Sequence, residues 1–271
     1  MQGKLLKNRI VPIFLSILIL LCLQSYSDAE EIATLRAGYI CYDLKGDKRW
    51  QATSEIRKVE GTEEGIHTLT EKGSGHYYPF EGKVSWVSNL EFEDFKNRIR
   101  PLKLKKRIFD SNKRLIGVEE QNFNFLTNEA AYGYTDMLSN KKKEKIFKFK
   151  GDILNRLILP VYIKKILRDG KRNVVAQMLT SEPKLYNMDV RIVGEEVIDI
   201  NGKSYHTFKI CLDPNLGLLN IFKTFIPKSY IWHLTTGNFD FLQYKGLESS
   251  PSSPKVKIVV PEFEKLLLTD F

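Results

Sequence analysis

Acid–base chemistry near neutral pH falls first to histidine, and the chain has four: His67, His76, His206 and His233. They are scattered, one to a segment. His206 and His233 fall in strand-like runs and are the pair that folding can bring together; a single histidine on a strand otherwise reads as a polar face residue. Acidic pairs occur at Glu63-Glu64, Glu119-Glu120 and Glu195-Glu196. Neighbours on a strand point to opposite faces, so this spacing alone sets up no general acid and base. Gly73-Ser74-Gly75 is too short for a nucleophile elbow and reads as a turn. No Gly-x-Ser-x-Gly, phosphate loop or His-Glu-x-x-His occurs. The reading is a protein that is not an enzyme and carries no cofactor. Beyond Cys22 the cysteines are Cys41 and Cys211, neither with a second cysteine at ligand spacing, which gives no metal site. Two readings stay open for this pair: a disulfide, which an oxidising compartment allows, or two buried thiols on strands.

The compartment is read from the N-terminus. Lys4, Lys7 and Arg9 precede an apolar run from Ile10 to Leu23, then a polar stretch and the small residues Ser27 and Ala29. That order is a secretory signal, with cleavage expected between Ala29 and Glu30. The run is about 14 residues, short of the roughly 20 that a spanning helix needs. Leu21 stands where a lipoprotein signal wants a small residue before Cys22, so the expected product is soluble, periplasmic and at most peripheral to the membrane. Residues 1–29 are thus a signal peptide and 30–271 a single domain. An apolar fraction of 42% is ordinary for a chain with a real core.

The net charge of +9 comes with two basic runs. Lys103, Lys105, Lys106 and Arg107 alternate with Leu102, Leu104 and Ile108 and read as the wet face of a strand. Lys141, Lys142, Lys143 and Lys145 read as a solvated hairpin tip or as a seat for anionic lipid head groups. An exported protein rarely meets nucleic acid, so no nucleic-acid partner is expected.

The elements that would position these residues are mostly strands. Period-two alternation recurs between turn formers: Gly46-Asp47, Asp110 to Lys113, Asn201-Gly202 and Thr235 to Asn238. This predicts an antiparallel meander. One stretch departs from it. Asp152 reads as an N-cap, Ile153, Leu154, Leu157, Ile158, Ile163, Ile166 and Leu167 follow at helical spacing around Pro160, and Gly170 ends the run. A helix or kinked helix pair over 152–168 is expected. Leu216 to Phe225 is a second apolar stretch, and Ser249 to Pro254 a flexible surface loop.

The helix from Asp152 to Arg168, the strands Arg172 to Leu179 and Tyr186 to Val197, the turn Asp199 to Lys203, the strand Tyr205 to Ile210 and the run Ile231 to Gly237 together resemble the LolA/LolB-type periplasmic lipoprotein-carrier superfamily and its uncharacterised relatives. The resemblance implies a mainly β fold: a curved antiparallel sheet, an unclosed half-barrel, with a helical insertion covering the concave face. It also implies that the concavity holds an acyl chain or lipid. Leu154, Leu157, Ile158, Ile163, Ile221, Phe222, Phe225 and Trp232 are then the expected lining. The expected partner is a lipid or lipoprotein; the alternative is a non-enzymatic assembly or structural factor that docks on another envelope protein.

Overall fold

A computed structural model describes residues 35–59, 65–95, 98–215, 228–250 and 252–261. The expected signal peptide and cleavage site, and Ile221, Phe222 and Phe225, lie outside the described residues.

Among the described residues, fifteen strands form one sheet. Strands β1 (Leu35–Asp43), β2 (Lys48–Lys58), β3 (Ile66–His76), β4 (Lys83–Phe95), β5 (Arg98–Phe109), β6 (Leu115–Asn124), β7 (Glu129–Asp136) and β8 (Lys141–Lys148) follow one another across it. Then come β9 (Ile153–Leu154), α1 (Leu159–Arg168), β10 (Asn173–Leu179), β11 (Leu185–Ile200), β12 (Lys203–Asn215), β13 (Ser229–Leu234), β14 (Phe241–Leu247) and β15 (Lys255–Val259). Every neighbour pair is antiparallel except β9, which runs parallel to β10. The last strand returns to the first, β15 pairing with β1 through Ile40 opposite Val259. Among the described residues the sheet therefore ends at β8 and β9, which are consecutive in the chain but stand at opposite ends of the strand order. The mainly β, unclosed antiparallel sheet is as expected.

Core packing reveals the curl. Leu69, Leu90 and Leu104 from β3–β5 share one cluster with Val190, Ile210 and Ile231 from β11–β13, and α1 sits in the same cluster. Strands half a sheet apart meet only if the sheet folds its two halves toward each other. Bulges at Cys41/Tyr42, Glu91/Phe92, Ile108/Phe109, Ile192/Gly194 and Trp232/His233 add the local twist that bends it. A second cluster, around Trp50, Tyr77 and Trp86, fills another stretch of the same inner face.

Three local expectations change. The helix is shorter than 152–168: Ile153 and Leu154 pair as β9, and α1 begins at Leu159 with Pro160 in its first turn, where a missing N–H costs nothing. Asp152 is no cap; its carboxylate accepts from the Tyr162 hydroxyl at 2.6 Å. Asn155 serves the helix start instead, its Oδ1 accepting the N–H groups of Leu157 and Ile158 at 3.1 and 3.2 Å. Gly170 does end the helix, at φ +67°. Gly73-Ser74-Gly75 is strand, not turn, paired with β2 on one side and β4 on the other; the Trp86 ring fills the space beside Gly73, where a Cβ would stand 2.2 Å from Trp86 Cζ2. The lysines from Lys141 are not a tip but the edge strand β8, and the tip is Met137 to Asn140. The Asn201-Gly202 hairpin stands as read, both residues at positive φ.

Candidate functional site: the interior beneath the helix

The inner face of β2–β7 is layered, one rung of cross-strand partners at a time. One rung is apolar: Ile56, Leu69, Leu90 and Leu104. The next is polar: Ser54, Glu71, Ser88, Lys106, Glu119 and Tyr134 stand opposite one another across six strands. The third is small and aromatic: Ala52, Gly73, Trp86, Ile108 and Gly117. Directly opposite residues share a face, so the polar rung separates two apolar zones of one interior.

Burying these groups is tolerable only if they are bonded. Glu71, 5% exposed, accepts from Arg156 Nη2 at 2.7 Å and from Trp86 Nε1 at 2.8 Å. Burial pushes the Arg156 pKa down, but the Glu71 carboxylate outweighs it and holds the guanidinium charged, with its pKa raised. Glu119 accepts from Gln121 Nε2 at 2.8 Å, and Gln121 Oε1 accepts from Asn155 Nδ2 at 3.4 Å. The buried Lys106 ammonium stands 3.8 Å from the centre of the Tyr77 ring and 5.4 Å from that of Trp86. Asn155 and Arg156 thus tie the start of α1 to the β3–β6 wall. Its far end is tied to the opposite half: Lys164 Nζ donates to Asp240 at 2.8 Å and Arg168 Nη2 to Asn238 at 3.2 Å, both before β14.

Between these ties the helix presents its apolar side to the core. Leu154, Ile158 and Ile163 are at most 1% exposed and share one cluster, with Leu157 half-buried against it. The structure brings these four expected residues together. It separates Trp232 from them: Ile231 packs in the helix cluster, while Trp232 belongs to another with Ile198, Ile200 and Leu242. Strand alternation forces this, since neighbours on β13 take opposite faces. There Trp232 Nε1 donates to Glu196 at 2.5 Å.

The disulfide reading of Cys41 and Cys211 does not hold; both are buried thiols. Cys41 packs inward beside Trp50, whereas Cys211 lies opposite Tyr230, the neighbour of inward Ile231 and so on the other face. Strands β15, β14 and β13 also intervene. At about 4.8 Å per strand this far exceeds the roughly 7 Å that a bridge tolerates between Cα atoms. Nor do the two strand histidines pair: His233 is wholly buried opposite Phe208, its Nδ1 bonded to the Phe239 carbonyl, and His206 is exposed opposite Val197. Burial pushes the His233 pKa down to about 4.

Sequence reading missed Glu71, Lys106, Glu119 and Arg156. Parity carried a signal for three of them: Lys106 shares it with Leu104 and Ile108, Glu71 with Leu69, and Glu119 with Gln121 and Phe123. Lys103, Lys105 and Arg107 do face water, so the wet-face reading fails at Lys106 alone.

No family model and no curated protein matches the chain. Among solved structures, a candidate exported protein with a YmcC-like fold from Bacteroides fragilis aligns over 83% of this chain and 93% of its own, at 8% identity and a TM-score of 0.31. A likeness that slight carries no argument about activity.

Proposed function

We propose that this chain is an exported, periplasmic, non-catalytic binding module that holds a hydrophobic ligand, an acyl chain or lipid, in the half-barrel interior that α1 covers. The observation that carries the reading is the seam. Among the described residues the sheet packs around the apolar side of α1 and ends at β8 and β9, which no backbone ladder joins. Across the seam Phe123 and Phe147 pack with Ile153 and Leu179, and the Tyr132 hydroxyl donates to the Ser181 carbonyl at 2.6 Å, so side chains rather than a backbone ladder close it. An amphipathic ligand suits an interior with apolar zones on either side of a polar rung. The LolA/LolB-type reading of the sequence points the same way.

The test is titration of delipidated mature protein with a fluorescent fatty acid. Saturable uptake of about one probe per chain, weakened in Leu157→Ala, is the expected result. Absence of saturable uptake of any lipid probe overturns the reading. A second reading, an assembly or structural factor docking on an envelope protein, draws on the density of the interior: Leu154, Ile158 and Ile163 pack as a dry core does. Native mass spectrometry separates the two, since co-purifying lipid favours the first and a stable protein partner the second.

A further inference from the structure

The β7–β8 hairpin presents a combination that neither the core nor the edge of the sheet requires. Its tip carries Met137 and Leu138, 45% and 60% exposed. Asp136 holds that tip in shape, its carboxylate accepting from Leu138 N at 2.9 Å and from Ser139 N and Oγ at 3.2 and 2.8 Å. Lys141, Lys142, Lys143 and Lys145 follow at once, all exposed, and among the described residues none of them has a carboxylate within ion-pair distance. Lys148 is different, paired with Glu129 at 2.7 Å. Glu144 is the one acid among them.

Lysines on an edge strand are explained in part by protection against edge-to-edge pairing. That does not explain two adjacent large apolar residues on a well-formed turn, where polar turn formers serve better. An anionic membrane surface uses both features: the apolar tip enters the boundary between head groups and acyl chains, and the ammonium groups lie at the level of the phosphates. We infer that this hairpin docks the protein on an anionic bilayer, with Met137 and Leu138 inserted and the β8 lysines on the head groups. The inference is independent of any ligand in the interior, because the hairpin tip belongs to none of the core clusters.

The experiment is co-sedimentation of the full mature chain with vesicles of phosphatidylglycerol and phosphatidylethanolamine, against vesicles of phosphatidylcholine alone. Wild type should bind the anionic vesicles at least about tenfold more tightly, and raising salt from about 0.05 M to about 0.5 M should weaken that binding. Leu138→Asp, and separately Lys141→Glu with Lys143→Glu, should each reduce it about tenfold or more with the circular dichroism spectrum and melting temperature unchanged. Equal binding to both vesicle types, no vesicle binding, or variants that bind as wild type overturns the inference. So does capture of an acidic soluble protein by the hairpin without vesicle binding. A fatty-acid titration on the same variants reads the interior separately and should be unaffected.

Discussion

The Glu71–Arg156 pair shows how one contact joins two parts of the molecule. Glu71 belongs to β3 and Arg156 to the segment leading into α1, and the carboxylate is the more deeply buried partner, at 6% side-chain exposure against 30%. Arg156→Met leaves that carboxylate without its cation. The expected loss, read by urea unfolding, lies toward the lower end of the roughly 3–5 kcal/mol typical of breaking a buried pair, because the guanidinium keeps some solvent. Combining it with Glu71→Met should restore much of the loss, since no charge is then stranded. His233 offers a pH test. Its folded pKa of about 4 lies below the ordinary value of 6.5, so between those values the unfolded chain binds more protons than the folded one. Stability from this residue is complete above about pH 6.5 and is lost as pH falls toward 4, by roughly 3 kcal/mol in all. The difference in unfolding free energy between pH 7.5 and pH 4.5 should therefore be smaller in His233→Gln than in wild type; an equal difference would refute the assignment.

At the scale of elements, β3 tolerates Gly73 because its partner strand supplies what that residue lacks. Gly73 has no side chain to pack, and the Trp86 ring of β4 fills the gap. Gly73→Ala pushes a methyl into that ring and should cost about 1–3 kcal/mol, visible as a lowered urea midpoint. The helix makes the opposite case. Its ten residues are too few to be stable alone, and its stability comes from burying Leu159, Ile163, Ile166 and Leu167. Ile163→Ala should cost about 2–5 kcal/mol, whereas Leu157→Ala, half-buried ahead of the helix, should cost less and act mainly on probe uptake. Equal losses in the two variants would place Leu157 in the rigid core and remove it from the proposed lining.

For the molecule as a whole, the meander leaves β1 and β15 paired at its middle and β8 and β9 as its edges. An edge strand has one ladder, and β8 is exposed along nearly its whole length. Its amides should exchange with deuterium far faster than those of β3 and β4, which are paired on both sides and packed inward. Equally slow exchange at β8 would mean that the seam is shielded and would count against ligand passage there.

Much of this architecture is legible along the chain. Alternation and turn chemistry mark the strands, and Asn201-Gly202 turns β11 into β12 because both residues tolerate positive φ. Gly170 stops α1 for the same reason. These are local effects, carried by residues a few positions apart. The placement of Lys106, the separation of Cys41 from Cys211, and the loss of Trp232 from the helix side are not local. Each depends on which face of the sheet a residue takes and on how many strands intervene, and bulges shift that face in mid-strand. The truncation of the helix at Leu159 has the same origin: Ile153 and Leu154 follow helical spacing, but the free edge of β10 offers Gln177 and Met178 as partners, and tertiary pairing prevails over a short stretch of helical periodicity.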